Sequence, residues 1–225
     1  MNADPGKPTV TTWFLEQTAP DDLREARPPE PSADVSVVRA QVPSADFSRF
    51  LYSSVGADVE WTDRLAWTYA RWREWLERPG VETWVAYERG TPAGYIELDG
   101  ATPDTSGRAI RPGRSVEISY FGLLPAFRGR RIGGHLLGFG TARAWDLARR
   151  WPDRQPTNRV WLHTCSKDGP HALRNYQRRG FRIFAKEVAQ EPAPAPVEQD
   201  ADPAAPAVPG PGRPEPSQGS RPAEM

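Results

Sequence analysis

The chain reads as an α/β protein, an α+β arrangement in which helices pack against one mixed sheet. Three observations predict it. The 225 residues hold 25 prolines, roughly twice the ordinary frequency. Only nine of them fall in residues 35–189, a stretch of 155 residues that also holds eight of the nine tryptophans and is the size of a single core. Within it, two-residue alternation and helical spacing take turns: strand, two helices, a hairpin, strand then helix twice, and a last strand. Finally, residues 115–123 read as a strand that feeds a loop of three glycines and three arginines, and that loop runs directly into an amphipathic helix.

Each element has its own signal. Residues 9–16 (TVTTWFLE) are β-rich but short, and residues 19–34 dissolve into Asp, Pro and Glu. Residues 1–34 are therefore expected to be a partly disordered N-terminal extension with a short strand, and the fold proper to open near Val35. Residues 35–40 read as a strand. Ser44 precedes residues 45–55, where Phe47, Phe50 and Leu51 recur at helical spacing, so a short helix with an N-cap is predicted. Leu65, Tyr69, Trp72 and Leu76 predict one helix over 62–77, closed by Pro79-Gly80. Two β-rich runs, 82–88 and 93–99, flank Arg89-Gly90-Thr91-Pro92 as a hairpin, and residues 100–114 show no pattern and read as a loop. The strand at 115–123 would place Val116, Ile118 and Tyr120 on one face and Glu117, Ser119 and Phe121 on the other. Residues 131–150 form a helix with Ile132, Leu136, Phe139 and Leu147 as its apolar stripe. A strand at 159–165, a short helix at 170–179 ended by Gly180, and a strand at 181–186 complete the domain at residue 189. Residues 190–225, with ten prolines and six acids, are expected to be a disordered tail.

The formal net charge of zero conceals a division, since residues 1–34 and 190–225 each carry −4 and leave +8 between them. Eleven arginines against three acids between Arg108 and Arg159 predict a locally positive surface, suited to nucleic acid or to a phosphorylated cofactor. No apolar run approaches the ~20 residues that span a bilayer, and the first residues lack a leader pattern, so a cytoplasmic chain without a membrane partner is expected. A lone cysteine, Cys165, excludes an internal disulfide framework. With His135, His163 and His171 scattered, no metal-ligand spacing arises and no metal is expected.

The chemistry concentrates in Leu123-Leu124-Pro125-Ala126-Phe127-Arg128-Gly129-Arg130-Arg131-Ile132-Gly133-Gly134. Free N–H groups of a helix's first turn, with the positive end of its dipole, attract anions, and glycines let phosphates approach the backbone. The loop thus suits a pyrophosphate. It lacks the lysine and hydroxyl of the P-loop and the GxGxxG spacing.

Here the sequence resembles the GNAT superfamily of acyl-CoA-dependent N-acyltransferases. Arg128, Gly133 and Gly134 match its signature Arg/Gln-x-x-Gly-x-Gly/Ala, while Arg131 stands where the family has glycine. Asn175-Tyr176-Gln177-Arg178-Arg179-Gly180-Phe181 is similar to its closing Tyr-x-x-x-Gly-Phe. A positive φ at residue 131 would cost arginine ~1 kcal/mol or more, so an adjusted loop is one expectation.

The resemblance implies a mixed sheet with helices on both faces and a splay between the family's fourth and fifth strands, here Ser115–Leu123 and Arg159–Cys165. It implies acetyl-CoA as cosubstrate, its pantetheine arm bonding to the main chain of Tyr120, Phe121, Gly122, Leu123 and Leu124. Its pyrophosphate would lie on the backbone of Arg128, Gly129, Arg130, Arg131, Ile132, Gly133 and Gly134, with Asn175 nearby and some of the surrounding arginines meeting the 3′-phosphate. Glu117 takes the place of the base that deprotonates an amine acceptor, and Tyr176 that of the acid that protonates the departing thiolate. Trp72 and Trp75 are expected in the core. Trp61 and Trp67, with Glu97 or Asp99, are candidates for an acceptor site, and His163 and His171 for structural or solvated roles.

The function expected is acetyl transfer to an amine of a small molecule or protein, direct and through a tetrahedral intermediate. The alternative is a non-catalytic acyl-CoA-binding regulatory module. A homodimer is compatible with either, and the acidic tails and absent recognition motif speak against nucleic acid.

Overall fold

The structure, a computed structural model, describes residues 9–101 and 114–190. The expected tail at 190–225, save Gln190, and most of the loop at 100–114 lie outside them. The described residues build one seven-stranded sheet from β1 (Thr9–Gln17), β2 (Val35–Arg39), β3 (Val81–Glu88), β4 (Thr91–Asp99), β5 (Ser115–Leu123), β6 (Arg159–Cys165) and β7 (Arg182–Gln190). The order across the sheet is β2-β3-β4-β5-β6-β1-β7. All neighbours are antiparallel except β5 and β6, which run parallel.

Four helices cover the sheet: α1 (Ala45–Gly56), α2 (Tyr69–Leu76), α3 (Ile132–Trp145) and α4 (Ala172–Arg178). Leu136, Leu137 and Ala144 of α3 and Tyr176 of α4 pack with Ile96, Leu98, Val116, Ile118, Val160 and Leu162 on one face. Leu51 and Val55 of α1 pack with Val85 and Tyr95, the alternate residues of the same strands, on the other. At Gly140 of α3 a Cβ would overlap the Ile96 side chain, so only glycine lets this helix lie so close to the sheet. The β3–β4 connection needs positive φ at both central residues, Arg89 (48°) and Gly90 (82°), which is the geometry of a two-residue hairpin turn.

Three expectations are corrected. The sheet does not open near Val35: β1 lies between β6 and β7, with Leu15 and Gln17 fully buried. Gln17 accepts from Trp145 Nε1 at 2.9 Å and donates to Arg179 O at 2.7 Å, which joins the strand to the ends of α3 and α4. The helix expected over 62–77 is shorter, because the Thr68 hydroxyl accepts from Arg71 N and starts α2 at Tyr69. Leu65, counted in its apolar stripe, is 43% exposed. The alternation expected in β5 is broken by a bulge. Glu97 pairs with Tyr120 and Leu98 with Ile118, so Ser119 is the extra residue and Tyr120 turns to the face of Glu117.

Candidate active site

The bulge sits beside the one place where the sheet comes apart. β5 and β6 pair only over Ser115–Arg159, Val116–Val160 and Glu117–Trp161; beyond Glu117 the ladder between them ends. From there, β5 still pairs with β4 through Leu123, and β6 still pairs with β1 through Cys165. Each strand therefore keeps one bonded edge and turns the other toward the gap. This is the splay that the sequence resemblance implied, and its two edges can bond an extended amide chain entering between them. The bulged Ser119 Oγ is buried without a hydrogen-bond partner among the described residues.

The glycine and arginine loop follows β5 through a short turn, Pro125–Phe127, to Arg131 at the N-cap of α3. Residue 131 keeps the left-handed conformation, φ 67° and ψ −3°, although it is arginine, so the loop is strained rather than adjusted. Gly129 is also left-handed, φ 75°, and nothing lies within 4 Å of its Cβ position. Left-handed residues on both sides of Arg130 form a backbone pattern of the kind that can turn N–H groups toward one side and suit an anion. The first intrahelical bond, His135 N to Arg131 O at 3.2 Å, leaves the amides of Ile132, Gly133 and Gly134 facing the same way. The donor set thus fits a pyrophosphate through its backbone.

The arginine side chains do something else. Arg128 donates to Leu123 O at 3.0 and 2.9 Å and to Asp58 Oδ1 at 2.9 Å, bracing the end of β5 against the segment after α1. Arg130 pairs with Glu88 and Arg131 with Glu30. All three guanidinium groups expected around the phosphates have carboxylate partners.

The chain before β2 also reaches this site, which the sequence reading missed. Arg24 N donates to Arg179 O at 3.2 Å, and Arg179 donates back to Arg24 O at 3.2 Å. The Ala26 methyl lies 3.7 Å from where a Gly134 Cβ would stand, and Glu30 meets Arg131. Residues 24–30 therefore run as a strap from the end of α4 to the start of α3. Gly180, φ 91°, allows this, since a Cβ there would overlap Asp22 O. The Asn175 amide oxygen lies 4.0 Å from the Gly134 Cβ position, which brings the closing motif beside the loop.

Tyr176 is 7% exposed, its ring edge-on to Phe121 (6.0 Å) and Phe181 (6.4 Å). Its hydroxyl makes no hydrogen bond to the described residues. Burial, and after it the Asp168 carboxylate, holds this phenol well above the ordinary tyrosine range, so it stays protonated and keeps a proton to give.

Across the sheet, on the α1 and α2 side, Glu117 accepts from His163 Nδ1 at 3.4 Å. That hydrogen bond raises the imidazole above its usual value against the opposing effect of burial, with the charges of Glu117, Asp168 and Asp63 adding to the rise. Asp63 accepts from Tyr52 OH at 2.7 Å and from Tyr120 OH. Phe14, beside His163 at 6.0 Å between ring centroids, closes the β1 side. His163, expected in a structural or solvated role, is half exposed and paired with Glu117; no local pattern links residues 117 and 163, and only the parallel register brings them together.

The acceptor carboxylates expected at Glu97 and Asp99 are already engaged. Glu97 is 1% exposed and accepts from Arg64 at 2.8 Å and Trp75 Nε1 at 2.9 Å, while Asp99 accepts from Arg78 at 2.9 Å. The Arg64 guanidinium is itself boxed by Trp75 (4.0 Å), Tyr120 (4.2 Å) and Trp67 (4.6 Å). Trp67 therefore holds an internal cation. Trp72 is in the core as expected, 1% exposed, and Ser166 is taken up by β1 through Thr11.

A splayed parallel strand pair, an amide-lined helix start at its mouth and a sheet covered on both faces define the acyl-CoA-dependent N-acyltransferase fold. The model of the Acetyltransferase (GNAT) family matches residues 46–181, and the chain belongs to that family. Among solved structures it is similar to a GCN5-related N-acetyltransferase from Kribbella flavida, at 18% identity and TM-score 0.52, over 81% of this chain and 58% of that one. It is likewise similar to one from Sphaerobacter thermophilus, at 18% identity and TM-score 0.52, over 81% and 51%. At such identities the likeness is one of fold, and the chain spans between half and three fifths of those two structures. None of the curated proteins matches it. Among the described residues no helix is long and apolar enough to cross a membrane.

Proposed function

We propose that the protein is an N-acetyltransferase that moves an acetyl group from acetyl-CoA to an amine, with no metal in the step. The observation that carries this reading is the gap between β5 and β6, open beyond Glu117 and leading to the unbonded amides of Ile132, Gly133 and Gly134. Free edges around Tyr120, Phe121, Gly122, Leu123 and Leu124 would hold the pantetheine arm, and the backbone from Arg128 to Gly134 the pyrophosphate, with Asn175 alongside. The acetyl group would then lie in the gap. Tyr176 approaches it from the α3 and α4 face to protonate the sulfur, and the Glu117–His163 pair from the α1 and α2 face to receive the proton of the amine. Strand N–H groups at the gap would polarise the thioester carbonyl as charge develops on its oxygen.

Calorimetry with acetyl-CoA tests the donor. One equivalent per chain is expected, with a raised melting temperature that NADH and ATP do not reproduce. A mass-spectrometric screen of amines with acetyl-CoA then identifies the acceptor. Binding without acetylation of any amine would favour a regulatory acyl-CoA-binding module, and no binding at millimolar acetyl-CoA would overturn the reading.

A further inference from the structure

Resting on that reading, we propose that His163 is the base that touches the acceptor nitrogen, through Nε2, and that Glu117 is the positioning residue that holds its imidazole through Nδ1. The argument starts from register. Trp161 is the last β6 residue paired with β5, and His163, two residues on, shares its face of the strand where the gap has already opened. Of the two side chains His163 is the outer one, 49% exposed against 16% for Glu117, and the carboxylate spends one oxygen on the imidazole at 3.4 Å.

The chemistry of that contact fixes the tautomer. A carboxylate only accepts, so Nδ1 carries the hydrogen and Nε2 keeps its lone pair, free of any described protein partner. An imidazole is also the better matched base, because a proton acceptor works best with a pKa near the working pH, which a carboxylate does not have. Three carboxylates favour the imidazolium against the opposing effect of burial: Glu117 on β5, Asp63 before α2 and Asp168 after β6. On the β1 side the Phe14 ring lies beside it, and Glu16, one pair further along the same face, is neutralised by Arg159 at 2.7 Å.

The step balances. Nε2 takes one proton from the ammonium, and the freed lone pair forms the C–N bond to the thioester carbonyl carbon. As the C–S bond breaks, the sulfur takes the Tyr176 proton, and the surplus proton on nitrogen restores the phenol. His163 releases its proton to solvent through its exposed edge, so one proton leaves per amide formed.

Two variants, Glu117→Gln and His163→Gln, separate the roles. The readouts are the imidazole titration by NMR and the pH dependence of thiol release from acetyl-CoA, with n-propylamine or water as acceptor. In the parent chain His163 should titrate above the ordinary ~6.5. Glu117→Gln keeps an acceptor oxygen for Nδ1 but removes the charge. The titration and the acidic limb of kcat/KM should therefore move down together, with the alkaline plateau retained within roughly tenfold. His163→Gln should lower the rate by ~10²–10⁴-fold across the range and remove that limb. Unchanged acetyl-CoA affinity in both variants shows that the fold survives. The proposal is overturned if Glu117→Gln abolishes transfer at every pH while His163→Gln keeps the limb. A parent imidazole titrating at or below the ordinary value overturns it equally, as does bound acetyl-CoA never turned over with either acceptor. Failure of the parent chain to bind acetyl-CoA is a different result, which removes the acetyl-transfer reading itself and this assignment with it.

Discussion

Replacing Tyr176 by phenylalanine separates packing from chemistry at one atom. Tyr176 is buried, its ring held edge-on by Phe121 and Phe181. Phenylalanine keeps all of those contacts. The hydroxyl bonds to none of the described residues, so its loss strands no buried donor or acceptor, and the fold should change by less than about 1 kcal/mol, either way. For a domain of this size that is a shift of at most about 4 °C in melting temperature. Catalysis should respond differently. If Tyr176 is the acid we propose, the departing thiolate loses its proton source, a deficit of ~10²–10⁴-fold in the chemical step, or about 3–5 kcal/mol of barrier. Single-turnover thiol release, with enzyme in excess over acetyl-CoA and with the amine found by the screen, reads that step without product release. Denaturant unfolding of the same preparation reads stability. A variant destabilised by more than about 2 kcal/mol with normal transfer per folded molecule would refute the reasoning. The hydroxyl would then be structural and the proton would come from elsewhere.

Three more outcomes follow from the geometry. At residue 131, where φ is 67°, Arg131→Gly should be more stable than Arg131→Ala by about 1 kcal/mol, since both lose the exposed pair with Glu30 and only glycine relieves the strain. Equal melting temperatures for the two variants would place the strain elsewhere. Glu97→Ala should cost about 3–5 kcal/mol, because Arg64, 3% exposed, would lose the carboxylate that neutralises it inside the sheet; a loss under about 1 kcal/mol on chemical unfolding would contradict that. The raised imidazole of His163 links to stability with a definite sign. Its folded value lies above the unfolded one, so its contribution is full below the unfolded ~6.5 and fades as pH rises through the folded value. The melting-temperature gap between the parent and His163→Gln should therefore narrow as pH rises; a gap that widens would reverse the assignment of the shift.

What the sequence could determine by itself was local. Strand and helix periods placed β2 to β7 and α1, α3 and α4 within a few residues, because alternation and helical spacing are written in neighbouring side chains. The strand, glycine loop and helix start at 115–134 were legible in the same way, because unbonded amides at a helix start are backbone chemistry that needs no distant partner. Tertiary structure decided the rest. The short run at residues 9–16 carries too little pattern to show that it lies between β6 and β7. That placement comes from edges left open by strands 150 residues away. A single bulge at Ser119, invisible as composition, turns Tyr120 to the side of Glu117 and Asp63. Three arginines that looked free for phosphate are consumed by Asp58, Glu88 and Glu30, and two carboxylates that looked free for an amine are consumed by Arg64 and Arg78. Pairing of charges is long-range and selected by geometry, so the sequence supplies the groups but not their partners. The Glu117–His163 contact arises the same way, from two parallel strands that pair for three residues and then part.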